Sequence, residues 1–509
     1  METKAVDPLR QRTLLGVVYT GSRGVFTAVL RVITMAILAR ILTPSDFGLV
    51  AAVLVLQELT MMVIHKGVAD ALVQREDVSE TDFGTAMSVL VAASLLTFAA
   101  FWFLAPWIET VLSLPGAAAV TRVAATLIPI EAMVQFYLSD ARRRLEFRRI
   151  AFVDALASVI GYTLISIVMA VLGFGLWALI GGIIAQAFLR LVGLGSAACR
   201  RHRPAFSMES VRRLFTFSAL TSIQMITGEA VKRVDRIVLA RFLGAEQVGF
   251  FSRAGSFMAM FIEFYALPVN QVLFPVLAKL QNQRMRILQA YRHAAAFSAL
   301  LGLPSAFAVM LMAEPLVAVM FGDQWGPMVP LVHILGANIF FVIIGQPFIS
   351  IVRGLGELRE SVVLTTLQMA LIVAGTIAMY PYGLEAVAWC IMSVYAFGFV
   401  ASTLILAFKL RTSVWALLTP MRAGVLYTIL LVFLWLVLEF GAGLSPDTFL
   451  GAGVFIALAG GAFCGLFLRF PRWFLGHDLI WLHEVAMNLF RRTQQKSPPG
   501  AGQTIAPAE

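Results

Sequence analysis

LARILTPSDFG at Leu38–Gly48 returns as LARFLGAEQVG at Leu239–Gly249, with Leu, Ala, Arg, Leu and Gly in the same places and an acidic residue shortly before the final Gly. Two weaker echoes keep the same order along the chain. RRLEFRR (Arg143–Arg149) pairs with RGLGELR (Arg353–Arg359), and GFGLWA (Gly173–Ala178) pairs with PYGLEA (Pro381–Ala386). All three pairs lie 200–210 residues apart. A fixed offset shared by several segments is the mark of a duplicated unit rather than of loops that happen to have similar composition.

The segments around these echoes are strongly apolar. Of 509 residues 60% are hydrophobic and 13% charged, with a mean hydropathy of +0.86. Soluble domains run near 45–50% apolar and about 25% charged. A chain this apolar has too little polar surface to cover a core in water, which excludes a soluble enzyme, a nucleic-acid-binding module and a disordered tail protein. Taking about 20 apolar residues per bilayer crossing, the sequence predicts fourteen spans. They fall near 13–39, 47–72, 83–106, 117–138, 150–172, 175–198, 212–240, 247–278, 290–318, 326–352, 358–380, 383–408, 417–440 and 449–469. The short connections leave no room for a soluble catalytic or nucleotide-binding domain. No phosphate-binding GxxxxGK[ST] loop occurs, and His483–Glu484 lacks the second histidine of a zinc-protease helix. Cys199, Cys390 and Cys464 are too scattered for a disulfide framework or a metal site.

Most of the 39 basic residues fall on one side of this arrangement. Alternate connections carry Arg142–Arg144 with Arg148 and Arg149, Arg200, Arg201, Arg203, Arg212 and Arg213, and Lys279, Arg284 and Arg286. The opposite connections carry little beyond Arg40 and Arg241. By the positive-inside rule the rich side is cytoplasmic, so both termini face the cytoplasm and the span count is even. The net charge of +10 and pI near 9.8 are thereby a topology signal, and nucleic acid is not expected as a partner. The leader is polar and the first span carries Arg23 and Arg31, so a retained helix is expected rather than a cleaved signal.

Six spans per copy is an even number, so the two copies share one orientation, related by an axis along the membrane normal. Substrate sites of such parallel-repeat transporters lie between the halves. The expected fold is an all-α polytopic membrane protein of about fourteen transmembrane helices, two parallel-related six-helix lobes plus two C-terminal helices. The boundaries read as a leader 1–12, an N-terminal lobe 13–198, a linker 199–213, a C-terminal lobe 214–408, helices 13 and 14 within 409–470, an interfacial helix 471–492 and a disordered tail 493–509. In the interfacial helix Leu475, Leu479, Leu482, Ala486 and Leu489 form one stripe, with Trp473 and Trp481 at headgroup level.

Several stretches together resemble the polysaccharide flippases of the multidrug/oligosaccharidyl-lipid/polysaccharide exporter superfamily. They are AILARILTPSDFGLVA (Ala36–Ala51), GVADALVQREDVSETDFGTA (Gly67–Ala86), RRRLEFRRIAFVD (Arg142–Asp154), GFGLWALIGGIIAQ (Gly173–Gln186), RVDRIVLARFLGAEQVGFFSRA (Arg233–Ala254) and RGLGELRES (Arg353–Ser361). Their order, spacing and duplication carry the resemblance, which covers nearly the whole chain. It implies two lobes opening a central cavity alternately to each side of the bacterial inner membrane. The implied substrate is an isoprenoid-diphosphate-linked oligosaccharide repeat unit for cell-surface polysaccharide, moved without covalent chemistry or a cofactor. Membrane lipids, a polysaccharide polymerase and export machinery are the implied partners. The rival readings are a multidrug or metabolite antiporter and a peptidoglycan-precursor flippase of the same superfamily.

Charges within spans are costly and usually face a cavity or a partner. Arg23 and Arg31 lie on span 1, Lys232, Arg233 and Arg236 on span 7, and Arg253 on span 8. Arg31 and Lys232 occupy equivalent positions of the repeat, and Lys232 and Arg236 share a helix face. Arg23, Arg31, Lys232, Arg236 and Arg253 are the candidate diphosphate-binding residues, because a guanidinium fork matches phosphate oxygens. The same residues could instead lock helices together. Glu229 and Arg233 are four apart, and Glu58 on span 2 could pair with Arg23 or Arg31. Glu131, Asp154, Asp235 and Glu263 are further acids inside spans, with Glu58 leading as a candidate for ion coupling. Arg122 and Arg190 are closer to span ends and could snorkel. Gly21, Gly24, Pro268, Pro275, Pro304 and Pro347 are places where helices could bend.

Overall fold

TPSD in the first repeat segment is a helix start. In the computed structural model Thr43 takes the N-cap position of α2 (Pro44–Gln74), its hydroxyl accepting from the Asp46 N–H at 3.3 Å while Asp46 accepts from the Thr43 N–H at 3.0 Å. Pro44 occupies the first helical position, where no N–H is needed. A helix over 26–41, α1, ends just before this cap. In the second copy the place of Thr43 is taken by Gly244, which turns the chain with φ of +83° inside the segment Val234–Ala278, α8. The two arms of α8 on either side of Gly244 are thus the counterparts of α1 and α2.

The structure describes residues 26–74, 77–198, 202–216, 227–278, 284–354, 358–444, 448–476, 478–480, 483–484 and 487. In the first half they form, after α1 and α2, the helices α3 (Glu80–Leu112), α4 (Ala117–Arg143, interrupted at Thr126), α5 (Phe147–Val171) and α6 (Trp177–Ala198). A short helix, α7 (Met208–Thr216), follows. In the second half α9 (Arg284–Leu311), α10 (Val329–Gly354), α11 (Leu358–Met379) and α12 (Leu384–Leu410) follow α8, and α13 (Val414–Gly441) and α14 (Phe449–Arg469) close the series. Pro304 and Pro347 lie inside α9 and α10. Gly21, Arg23 and Gly24 lie outside the described residues.

Eleven helices among the described residues are long and apolar enough to cross a membrane. The first and seventh expected spans run into undescribed stretches, and the side chains of 263–278 in the eighth are likewise outside the described set, so fourteen stands as the expectation of the sequence. The chain is a multi-pass membrane protein. Its outward-facing surface is apolar in the manner of lipid contact: Leu96, Phe103, Trp107 and Phe408 are all exposed.

Each half packs mainly within itself, and the halves meet chiefly where α8 crosses α2. Small residues allow the close approaches that bilayer packing depends on. On α6, a Cβ at Gly193 would press on Val153 of α5, and Gln186 donates to Ser158 at 3.0 Å. The linker between the halves is seated on the first one. His202 is buried, stacked 4.5 Å from Phe83, with Nδ1 3.1 Å from Glu80 and Nε2 3.3 Å from Asp140. α7 continues along α3 and α2.

The segment after α14 differs from the expected lipid-facing arrangement. Phe474, Leu475 and Leu479 are buried in a cluster with Leu300, Tyr427 and Phe455 of α9, α13 and α14. Asp478 binds Arg292 of α9 through both carboxylate oxygens, at 3.1 and 3.0 Å. The leading residues of the stripe therefore grip protein, while Trp473 stays exposed. Leu482, Ala486 and Leu489 lie outside the described residues or their described side chains.

Candidate functional site

The two repeat segments meet each other at the α1–α2 turn. A Cβ on Gly48 would collide with the carbonyl of Ala245, and a Cβ on Gly249 would collide with the carbonyl of Pro44. Ala245 is the repeat equivalent of Pro44, so the contact is reciprocal. Only glycine lets these backbones approach so closely. The arginines of the two LAR triplets also cross over. Arg40 donates to the carbonyl of Val319 at 2.6 Å, and Arg241 donates to the Ser113 hydroxyl. Trp325 fills the seam, its Nε1 donating to the Ala39 carbonyl at 2.8 Å and its ring lying 5.5 Å from Phe47 and 5.9 Å from Phe250. The lobes are shut on this face by two turns, Trp325 with its two edge-on aromatic neighbours and a pair of crossed arginines.

Just inside this closure sit two cations. Arg253, on the second arm of α8, lies with its Cζ 4.7 Å from the centroid of Phe47. Arg236, on the first arm, has its guanidinium facing the Gly255 backbone, where the missing side chain leaves it room. The Nε atoms of both are enclosed and hydrogen-bond nothing among the described residues. Asp235 is the near acid, but it is buried and one of its oxygens accepts from the Arg236 backbone N–H at 2.9 Å. An enclosed N–H without an acceptor is costly unless a partner arrives.

One level further from the closure is an ion cluster that spans the lobes. Arg233 binds Glu58 of α2 at 2.8 Å and Glu229 at 2.5 Å, and Lys232 binds Glu229 at 3.0 Å. Glu58 lies ten residues beyond Gly48, about 15 Å along the helix, or half of a core about 30 Å thick. Glu58 and Lys232 have half of their side-chain surface exposed (50% and 54%), unlike the seam at Phe47 and Trp325. Charged side chains are thus half exposed at this level, whereas the seam at the turn is buried.

The structure brings Lys232, Arg236, Arg253 and Glu58 to the lobe interface. Arg31 is exposed on α1, one turn before Thr34, whose hydroxyl lies 2.8 Å from that of Thr163 on α5. Arg23 lies outside the described residues. Two expectations are corrected. Glu58 pairs with Arg233 from the opposite lobe rather than with Arg31, because the crossing of α2 and α8 brings it there. Arg190 does not snorkel: it stands fourteen residues into α6 and binds Asp154 at 2.9 Å and Glu131 at 3.4 Å. Arg122 reaches only as far as the Trp102 carbonyl, at 3.5 Å. Arg233 was not among the candidate diphosphate-binding residues, and its bridging place had no signal in the sequence beyond its spacing from Glu229. Lys232 and Arg233 have carboxylate partners; among the described residues the Nε atoms of Arg236 and Arg253 have no acceptor.

The polysaccharide biosynthesis protein family matches residues 37–330, which contain both repeat segments and all the interface charges just described. The succinoglycan biosynthesis transport protein ExoT of Rhizobium meliloti is 30% identical over 329 residues, 64% of this chain and 66% of that protein. Among solved structures, the lipid II flippase MurJ in an inward closed conformation superposes with a TM-score of 0.69 at 13% identity, covering 90% of this chain and 99% of that one. An inward-facing multidrug resistance MATE transporter of the MOP superfamily gives 0.54 at 16% identity, covering 78% and 94%. The two structures share the fold.

Proposed function

The chain belongs to the polysaccharide biosynthesis protein family, and from that premise we propose that it flips isoprenoid-diphosphate-linked oligosaccharide repeat units across the bacterial inner membrane for cell-surface polysaccharide. The transport role of the relative ExoT supports this reading. The observation that carries it is the pair of guanidinium groups, Arg236 and Arg253, enclosed between the lobes with Nε donors unengaged. A diphosphate supplies acceptors in the geometry that guanidinium forks favour. An organic cation would meet repulsion at the same place, which sets the multidrug reading behind.

The closed face is periplasmic and the accessible level communicates with the cytoplasm. The headgroup enters from that side, drawn by Arg31 and Lys232, and settles against Arg236 and Arg253 while the lipid tail stays in the bilayer. Both termini are cytoplasmic. The chain breaks no covalent bond; a polymerase and the export machinery act on what it delivers. The test is a deletion strain complemented with variants. Arg31→Ala and the Arg236→Ala/Arg253→Ala pair should reach normal levels in the membrane, abolish surface polysaccharide and leave sugar-loaded carrier on the inner leaflet. Normal export by the double variant would remove the site.

A further inference from the structure

Phe47 belongs to the closure and Arg253 to the anion site, and they are in direct contact across the lobes. The Phe47 ring is 2% exposed, in edge contact with Trp325 and 4.7 Å from the Arg253 guanidinium. Attraction between a cation and an aromatic ring is strongest where water is excluded. Among the described residues the charged and titratable neighbours of Arg253 are Arg236, which repels it, and the Tyr162 hydroxyl of α5. Asp235 faces Arg236 instead. Phe47 is thus an aromatic anchor for Arg253 supplied by the opposite lobe, at a place where its Nε has no hydrogen-bond acceptor among the described residues.

We infer that Phe47 is a positioning residue for the diphosphate: with the lobes shut it keeps Arg253 desolvated and in place to bind the anion, and their parting on that face withdraws the ring, wets the guanidinium and releases the anion. The inference rests on the isoprenoid-diphosphate reading above. Its physics is elementary. A cation–anion contact is weakened many-fold when water enters, so the anion binds more tightly to the state in which the seam is dry. A ligand that prefers one state shifts the population toward it, and the coupling acts equally in both directions. The diphosphate therefore favours closure on the α1–α2 face, and opening of that face lowers its affinity. The repeat equivalents of Phe47 and Arg253 are Val248 and Ala52, so this link exists on one side of the pseudo-symmetric seam only.

The experiment uses the full chain in nanodiscs with farnesyl diphosphate as the probe and farnesol as the uncharged control. Phe47→Leu and Phe47→Met keep apolar bulk without a ring, and Phe47→Tyr keeps the ring. The ringless variants should bind farnesyl diphosphate at least threefold more weakly, with farnesol unchanged, and Phe47→Tyr should stay within twofold of the parent. In a background free of native cysteines, the diphosphate should raise bifunctional cross-linking between Ser113→Cys and Arg241→Cys, and this rise should vanish when Phe47→Leu is added. If both ringless variants bind the diphosphate normally while Arg253→Ala binds it at least tenfold more weakly, the role of Phe47 is overturned and the anion site stands. If Arg236→Ala and Arg253→Ala both leave diphosphate affinity unchanged, the site itself is wrong.

Discussion

At the scale of single residues the division is between cations with carboxylate partners and Arg236 and Arg253, whose Nε atoms lack an acceptor among the described residues. Arg190 holds two acids at once, Asp154 and Glu131, and all three side chains are less than a quarter exposed. Removing the cation leaves two carboxylates facing each other in low dielectric. Breaking a pair of this kind costs about 3 kcal/mol, so Arg190→Ala should lower the melting midpoint of the purified protein clearly, and adding Asp154→Asn should restore part of the loss. Such partnerships were only half legible. Hydropathy marks Glu58, Glu131, Asp154 and Arg190 as charges inside spans, and helical periodicity assigns each a face. Neither says which helix lies opposite. Glu58 therefore had plausible partners on its neighbour α1, while the one it takes, Arg233, lies in the other half of the chain, in the turn just before α8, and reaches it only because α8 crosses α2.

At the scale of elements the repeat segments were legible because their residues are fixed by contact. Gly48 and Gly249 each admit the other lobe's backbone, Arg40 and Arg241 each cross to it, and Leu38 and Leu239 are fully buried. The reciprocity makes a prediction. Gly48→Ala and Gly249→Ala should weaken the closure to a similar degree, read as equal losses of cross-linking between cysteines at 113 and 241, whereas Gly453→Ala on α14, with open space around it, should leave that cross-link untouched. The segment after α14 was read as an amphipathic interfacial helix, and its described residues Phe474, Leu475 and Leu479 pack on protein. An apolar stripe does not reveal whether lipid or protein covers it, and the groove formed by α9, α13 and α14 is assembled from three separate stretches of chain.

At the scale of the whole molecule, the proposed topology rests on where arginine and lysine fall, and it can be tested from both sides of the membrane. In a background lacking Cys199, Cys390 and Cys464, an impermeant maleimide should label Lys232→Cys from the cytoplasmic side, and a cysteine at Arg411 likewise. A cysteine at Glu109 should react only from the periplasm. Labelling of position 232 from the periplasm in the resting protein would reverse the assignment of the closed face. The seam has a consequence for ancestry. A contact in which segment i touches j while j touches i is isologous, the geometry of a two-fold homodimer. Gly48 on Ala245 and Gly249 on Pro44 keep that geometry inside one polypeptide, as fusion of two identical subunits would leave it. Once the partners were joined, each was free to drift alone: Met35 and Ala52 stand where the other half carries Arg236 and Arg253. Halves joined in one polypeptide need not be identical, so a symmetrical shell can carry a one-sided charge, something no pair of identical chains can do.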